Sequence, residues 1–158
     1  MTNPADVLAV ARHVGVDDVP WVPNLNYPGT EMRLLQADLD AGVYTLAGRM
    51  HAGLTVGTHR HLGAVHMFTL SGSWVYLEHD FVNRAGSYLY EPPGSVHTLS
   101  VPADNTEPTE VFFAIWGANL NLDADGNVES IIDAGGILQA YYLMCEAEGL
   151  PKPAVVLD

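Results

Sequence analysis

Two stretches decide the reading of this chain: Gly53-Leu-Thr-Val-Gly-Thr-His59-Arg-His61-Leu-Gly-Ala-Val65, and later Gly86-Ser-Tyr-Leu-Tyr-Glu91-Pro92-Pro-Gly94-Ser-Val-His97. Successive side chains of a strand leave on opposite faces, so His59 and His61 share a face and Arg60 takes the other. A third imidazole, His97, is returned by a later strand region. Three histidines on one face make a metal site that leaves coordination positions open for chemistry. The glycines and prolines around them sit where tight turns between short strands need them.

Working outward, runs rich in Val, Thr, Tyr, Phe and Trp recur between turn residues. They cover 31–37, 43–52, 64–70, 73–81, 87–91, 96–101 and 109–117, and each reads as a strand. Turn signals fall at Asp40-Ala-Gly42, Ser71-Gly72, Asn83-Arg-Ala-Gly86, Pro92-Pro-Gly94 and Asp104-Asn105. Many short strands at this spacing predict an all-β antiparallel sandwich or barrel, here spanning about 30–132. Asn119 to Ile132 reads as a closing hairpin that turns at Asp123-Ala-Asp-Gly126.

A helix is expected at each end. At the C-terminal end, about 135–149, Ile137, Ala140, Tyr141 and Met144 form one stripe, and Gly149 and Pro151 stop the helix. At the N-terminal end, 4–14 reads as a short helix capped by Asn3, opened by Pro4 and ended by Gly15, with Val7, Val10, Ala11 and Val14 near helical spacing. A linker from Asp17 to Gly29 follows, with Trp21 and Tyr27 as anchors on the core. Residues 1–158 read as a single domain.

Composition narrows the partners. Only 6 basic residues stand against 19 acidic ones, a formal net charge of -13. Such a surface repels phosphate backbones and anionic bilayers, so neither nucleic acid nor membrane is expected as a partner. The first residues carry no basic region followed by an apolar run, and the chain reads as cytoplasmic. Cys145 is the only cysteine, which excludes an intrachain disulfide or a thiolate metal cluster; it reads as a small buried hydrophobe.

The spacing Gly53, five residues, His59-x-His61, three residues, Val65, six residues, Gly72 resembles the first cupin motif. Gly86, five residues, Pro92-x-Gly94, two residues, His97 resembles the second. The resemblance implies a double-stranded β-helix, or jelly-roll barrel, with short N- and C-terminal helices. Most cupins place a glutamate ligand where this chain has Val65, so the usual set of three histidines and one glutamate is not available here. A site of three neutral imidazoles favours anionic, oxygen-chelating ligands such as enolates.

Within the cupins, several segments are similar to the 2,4'-dihydroxyacetophenone dioxygenases and the acetylacetone-cleaving dioxygenase. They are Val19-Pro-Trp-Val-Pro23, His59 to His66, Trp74-Val-Tyr-Leu-Glu-His-Asp-Phe81 and Tyr90-Glu-Pro-Pro-Gly-Ser-Val-His-Thr98, together with Trp116-Gly117, Asp125-Gly-Asn127 and the final helix. The resemblance implies a non-haem Fe(II) enzyme that uses O2 to cleave a C–C bond beside a carbonyl. Its metal ligands would be His59, His61 and His97, and its substrate a β-diketone or hydroxyacetophenone. It also implies a homo-oligomer, a dimer or tetramer. Glu91 corresponds to a glutamate behind the ligands in these enzymes. There it could accept the outer N–H of a ligand histidine, hold a metal-bound water, or take a proton from the substrate.

Other readings stay open on the residues alone. Three histidines also suit zinc or nickel in an isomerase or hydrolase, or a metal-dependent sensor module. Strict alternation turns His66 away from the metal, but a β-bulge would restore it as a fourth ligand. His79, between Glu78 and Asp80, reads as part of a charged strand or subunit contact, and His13 and His51 have no motif around them. Met67, Phe68, Phe112, Phe113 and Trp116 fall on strands that line or back the barrel.

Overall fold

The computed structural model describes residues 11–157. In chain order its strands begin with β1 (Val22–Pro23), β2 (Thr30–Asp38), β3 (Val43–Met50), β4 (His59–His61), β5 (Val65–Ser71), β6 (Ser73–Tyr76) and β7 (Val82–Arg84). They continue with β8 (Tyr88–Glu91), β9 (Val96–His97), β10 (Leu99–Ser100), β11 (Thr109–Trp116), β12 (Asn119–Leu122) and β13 (Val128–Ile132). Helix α1 (Ala134–Ala147) and a last strand, β14 (Val156–Leu157), close the chain.

The largest sheet runs β1-β2-β3-β11-β5-β8, with β14 added parallel to β2. A second has the order β13-β12-β4-β9, and a third β10-β6-β7. Apart from β14 every pairing of these strands is antiparallel, as expected of a jelly roll. Period-2 alternation sets the faces. Met32 and Leu34 of β2, Val65 and Met67 of β5, and Val111 and Ile115 of β11 are buried, while Phe68, Leu70 and Trp116 between or beside them are exposed. Each such apolar side chain contributes about 1.5–3 kcal/mol when fully withdrawn from water. A one-residue slip would turn this whole set outward, so the core itself fixes the register.

Helix α1 starts where Asp133 caps it: the carboxylate Oδ1 accepts from the Gly136 N–H at 2.7 Å. It stops at Gly149, whose positive φ of 69° lets the Leu150 N–H turn back to the Cys145 carbonyl at 2.9 Å. Ile137, Tyr141, Met144 and Cys145 are buried and Ala140 is half-buried, so the expected stripe faces the sheet. The Tyr141 hydroxyl donates to the Pro20 carbonyl at 2.6 Å and ties the helix to the linker before β1. The linker is anchored as the sequence suggests, with Trp21 stacked under the Arg49 and Arg33 guanidiniums.

Several boundaries differ from the sequence reading. The expected N-terminal helix, 4–14, lies mostly outside the described residues, and 11–14 carry no helix. The run 73–81 leaves its ladder after Tyr76, where the His79 N–H bonds back to the Tyr76 carbonyl in a turn and Glu78, His79 and Asp80 stay in water. The run 43–52 ends at Met50, and 96–101 is divided at Thr98 into two short pairings with different sheets. Strands β1, β7 and β14 lie outside the expected runs, because each is two or three residues long and no motif in the sequence frames it.

Candidate metal centre

His59 and His61 lie on β4 and are buried with Arg60 exposed between them. Strand β9 pairs with β4 so that His97 lies directly opposite His59. One ligand atom of each imidazole falls within 4.8 Å of the others, a grouping that could hold a metal ion. Backbone bonds join the two sequence motifs into this one site. The Gly94 N–H donates to the His61 carbonyl at 2.7 Å and the His61 N–H to the Ser95 carbonyl at 3.1 Å. Gly94 makes that turn at φ 88°, a region an L side chain rarely adopts.

The imidazoles are prepared as ligands. The Nδ1–H of His59 donates to the Gly57 carbonyl at 2.9 Å, which leaves the lone pair on Nε2. Burial lowers the pKa of all three, to about 3 for both His61 and His97, so they are neutral at pH 7. Neutral imidazole is the form that binds a divalent ion.

A carboxyl joins them, contrary to the expectation of a carboxylate-free site. Glu91, on β8, sits directly across from Val65 on β5. Its Oε2 lies 3.3 Å from the Nε2 of His61 and 3.3 Å from that of His97. Two donors about 2.1 Å from one tetrahedral ion are roughly 3.4 Å apart, so these separations fit a shared ion. Glu91 Oε2 and His97 Nε2 are buried with no hydrogen-bond partner, as donors awaiting a cation would be. The Tyr76 hydroxyl of β6 donates to Glu91 Oε1, and its ring stacks on His97 with centroids 4.1 Å apart. Burial pushes the Glu91 pKa up to about 7, against the lowering effect of the Tyr76 hydrogen bond. All three sheets therefore contribute a residue to one point.

His59 and His61 stand in the wall of an interior cavity of about 100 Å³. Its other lining includes Tyr44, Leu46, Met50, Phe113, Ile115 and Ile137, a predominantly apolar surface. A second pocket of about 300 Å³ lies between the 26–28 loop, residues 55–58 and the β12–β13 hairpin, and Tyr27 lines both. Asn119 and Asn121 of β12 pair opposite His61 and His59, so they share the inward face. Sequence reasoning missed both, since only the β12–β4 register brings them to the histidines.

The remaining candidates fall elsewhere. His66 faces outward, its Nδ1 2.7 Å from the Tyr88 hydroxyl and its ring against Tyr90 and Trp116. No bulge interrupts β5 and β8 from Val65 to Phe68, which removes His66 as a fourth ligand. His79 stacks on Phe81 at the surface, and His51 lies 3.9 Å from a Glu31 oxygen. Met67 and Phe113 are on the inner side, Phe68 and Trp116 on the outer.

A family model described as the ChrR cupin-like domain matches residues 10–118. The chain belongs to this family. The ChrR cupin-like chain is 32% identical to a protein of unknown function with a cupin-like fold from Ralstonia eutropha, covering 92% of this chain and 91% of that one at a TM-score of 0.85. An RmlC-like cupin from the same organism is 26% identical over 93% of this chain and 94% of its own, with a TM-score of 0.86. An acetylacetone dioxygenase from Acinetobacter johnsonii superimposes at a TM-score of 0.74 over 91% of this chain and 98% of its own. At 17% identity that likeness shows the fold alone. No curated protein matches the sequence. Among the described residues of the cupin-like chain no helix is long and apolar enough to cross a membrane.

Proposed function

We propose that this cupin is a metal-dependent dioxygenase that cleaves a C–C bond beside a carbonyl, with Fe(II) held by His59, His61 and His97. The observation that carries the reading is the donor set. Three buried neutral imidazoles and the Glu91 carboxyl meet beside an apolar cavity. A bound ferrous ion would supply Lewis acidity toward the substrate oxygens and electrons toward O2.

Three neutral imidazoles and a single carboxyl leave a divalent ion with net positive charge, which suits an anionic chelating substrate, the enolate of a β-diketone or an α-hydroxyketone. Glu91 Oε2 takes the proton that such a ketone loses on becoming an enolate. Tyr76 holds Oε1, so Oε2 is the oxygen left facing the histidines. The apolar wall excludes water from the reacting atoms. An acetylacetone dioxygenase shares the fold, so a barrel of this kind can house such chemistry. The exposed aromatic face of β5, β8 and β11, with Phe68, Tyr88, Tyr90 and Trp116, supports assembly as a homo-oligomer.

The test is O2 consumption by metal-free protein reloaded anaerobically with Fe(II), offered a panel of β-diketones and hydroxyacetophenones, with Zn(II)-loaded protein as control. Uptake that needs both iron and one substrate, with cleaved fragments as products, is the expected result. Stoichiometric iron without substrate-dependent uptake would turn the assignment toward a non-redox zinc or nickel enzyme or a metal-dependent sensor.

A further inference from the structure

The polar corner of the cavity has a direction. The Asn121 amide Nδ2 donates to Ser130 Oγ at 2.8 Å, which leaves Asn121 Oδ1 as an acceptor. That oxygen receives the Tyr27 hydroxyl proton at 2.7 Å and lies 3.4 Å from Asn119 Nδ2. The Tyr27 oxygen in turn accepts from Asn119 Nδ2. Burial raises the Tyr27 pKa, so it remains a phenol with a proton to give. Turning the Asn119 amide around would set its oxygen against Asn121 Oδ1 with a single phenol proton for both. With Asn121 Nδ2 on Ser130 Oγ, Asn119 keeps its Nδ2 on Tyr27.

Asn119 Oδ1 is then left over. Asn119 is 5% exposed, and its Oδ1 is buried without a hydrogen-bond partner. Leaving a buried acceptor unmade is unfavourable, and such an atom beside a cavity calls for a ligand group. Asn119 lines that cavity and is the cross-strand partner of His61. Tyr27, which holds it, stands where the cavity meets the outer pocket.

We propose that Asn119 is a specificity residue: its Oδ1 accepts a hydrogen bond from a hydroxyl or N–H of the substrate, and Tyr27 orients it from the cavity entrance. The ligand class is accordingly a small, mainly apolar ketone that carries a hydrogen-bond donor besides the oxygens it offers the metal. A plain β-diketone with alkyl ends leaves Asn119 Oδ1 without a donor. This inference rests on the substrate reading above and deepens it.

The experiment measures affinity, with no turnover required. Zn(II)-reconstituted protein is titrated calorimetrically with acetophenone, 2-hydroxyacetophenone, 4'-hydroxyacetophenone and acetylacetone. 4'-Hydroxyacetophenone, whose hydroxyl cannot reach the metal together with its carbonyl, should bind roughly tenfold more tightly than acetophenone, the factor that one net hydrogen bond carries. Asn119→Leu should erase that preference while acetophenone binds as before. Tyr27→Phe, which frees the amide to rotate, should reduce it. If Asn119→Leu fails to fold, Tyr27→Phe alone decides. Equal binding of the hydroxylated and plain ketones by the unaltered protein, or a preference that survives the substitutions, would overturn the Asn119 assignment and leave the metal site standing. Absence of binding by every ketone to zinc-loaded protein would overturn both this inference and the carbonyl-substrate reading.

Discussion

Val65 and Glu91 face each other across the β5–β8 ladder. Val65 occupies the position at which most cupins carry a glutamate ligand, and the carboxyl reappears one strand away, on the same face, with Oε2 3.3 Å from two imidazole nitrogens. Neighbours on one face of a ladder have Cβ atoms about 5 Å apart, so the longer reach of a glutamate side chain covers the displacement.

Moving the carboxyl back should therefore be tolerated. The double variant Val65→Glu/Glu91→Val should retain metal better than Glu91→Val alone, read as bound metal per chain after dialysis. Glu91→Gln keeps the shape and removes the base; it should keep most of the metal and lower turnover by about 100-fold, the lower range for a general base. Turnover equal to that of the unaltered protein would remove Glu91 from the chemistry.

Loss of a ligand should be felt more strongly in the metal than in the fold. His59→Ala deletes one imidazole and the anchor on the Gly57 carbonyl. Metal affinity should fall by more than the roughly 10- to 100-fold typical of losing a group behind a ligand. Competition with a chelating dye gives the number, and unchanged affinity would sink the three-histidine site.

Metal-free protein should lose stability in acid in a way these histidines set. Unfolded, His61 and His97 protonate near pH 6.5; folded, burial defers this to about 3. Their contribution is thus present above pH 6.5 and lost as pH falls toward 3. Glu91 has the opposite sign, since its folded pKa of about 7 lies above the ordinary 4.5 and its contribution fades as pH rises through 7. Two imidazoles outweigh one carboxyl between pH 4.5 and 6.5. The urea midpoint of the unaltered protein should rise more between pH 5 and 6.5 than that of His61→Phe/His97→Phe. Equal rises would count against buried neutral histidines. The comparison cancels the repulsion among surface carboxylates, which both proteins share.

The sequence makes the histidines legible because alternation along one short strand is enough to put His59 and His61 together, and a framed turn returns His97. It also flags Val65 as a missing carboxylate. It does not reveal what replaces it, because the β5–β8 register that aligns Glu91 with Val65 is a pairing between strands and leaves no periodic trace in either. Asn119 and Asn121 escape for the same reason: both fall in the foreseen hairpin, yet their meeting with the histidines depends on β12 pairing with β4. His66 shows the converse, since alternation alone turned it outward and the regular ladder kept it there.

Tyr76 offers a test that separates positioning from packing. Its hydroxyl donates to Glu91 Oε1 while its ring stacks on His97, and Phe in its place would keep the stack and drop the donor. The hydrogen bond lowers the Glu91 pKa against the larger raising effect of burial, so its loss should raise that pKa further. If Glu91 must be ionised to take the substrate proton, the acidic limb of the turnover–pH profile should move to higher pH. Activity of Tyr76→Phe should then fall more at pH 6 than at pH 8.5. Loss of the donor should also destabilise the fold by about 1–3 kcal/mol, because a buried carboxyl oxygen is left unpaired. A profile that drops uniformly at every pH, with the same stability loss, would make Tyr76 a packing residue and leave Glu91 without its orienting partner.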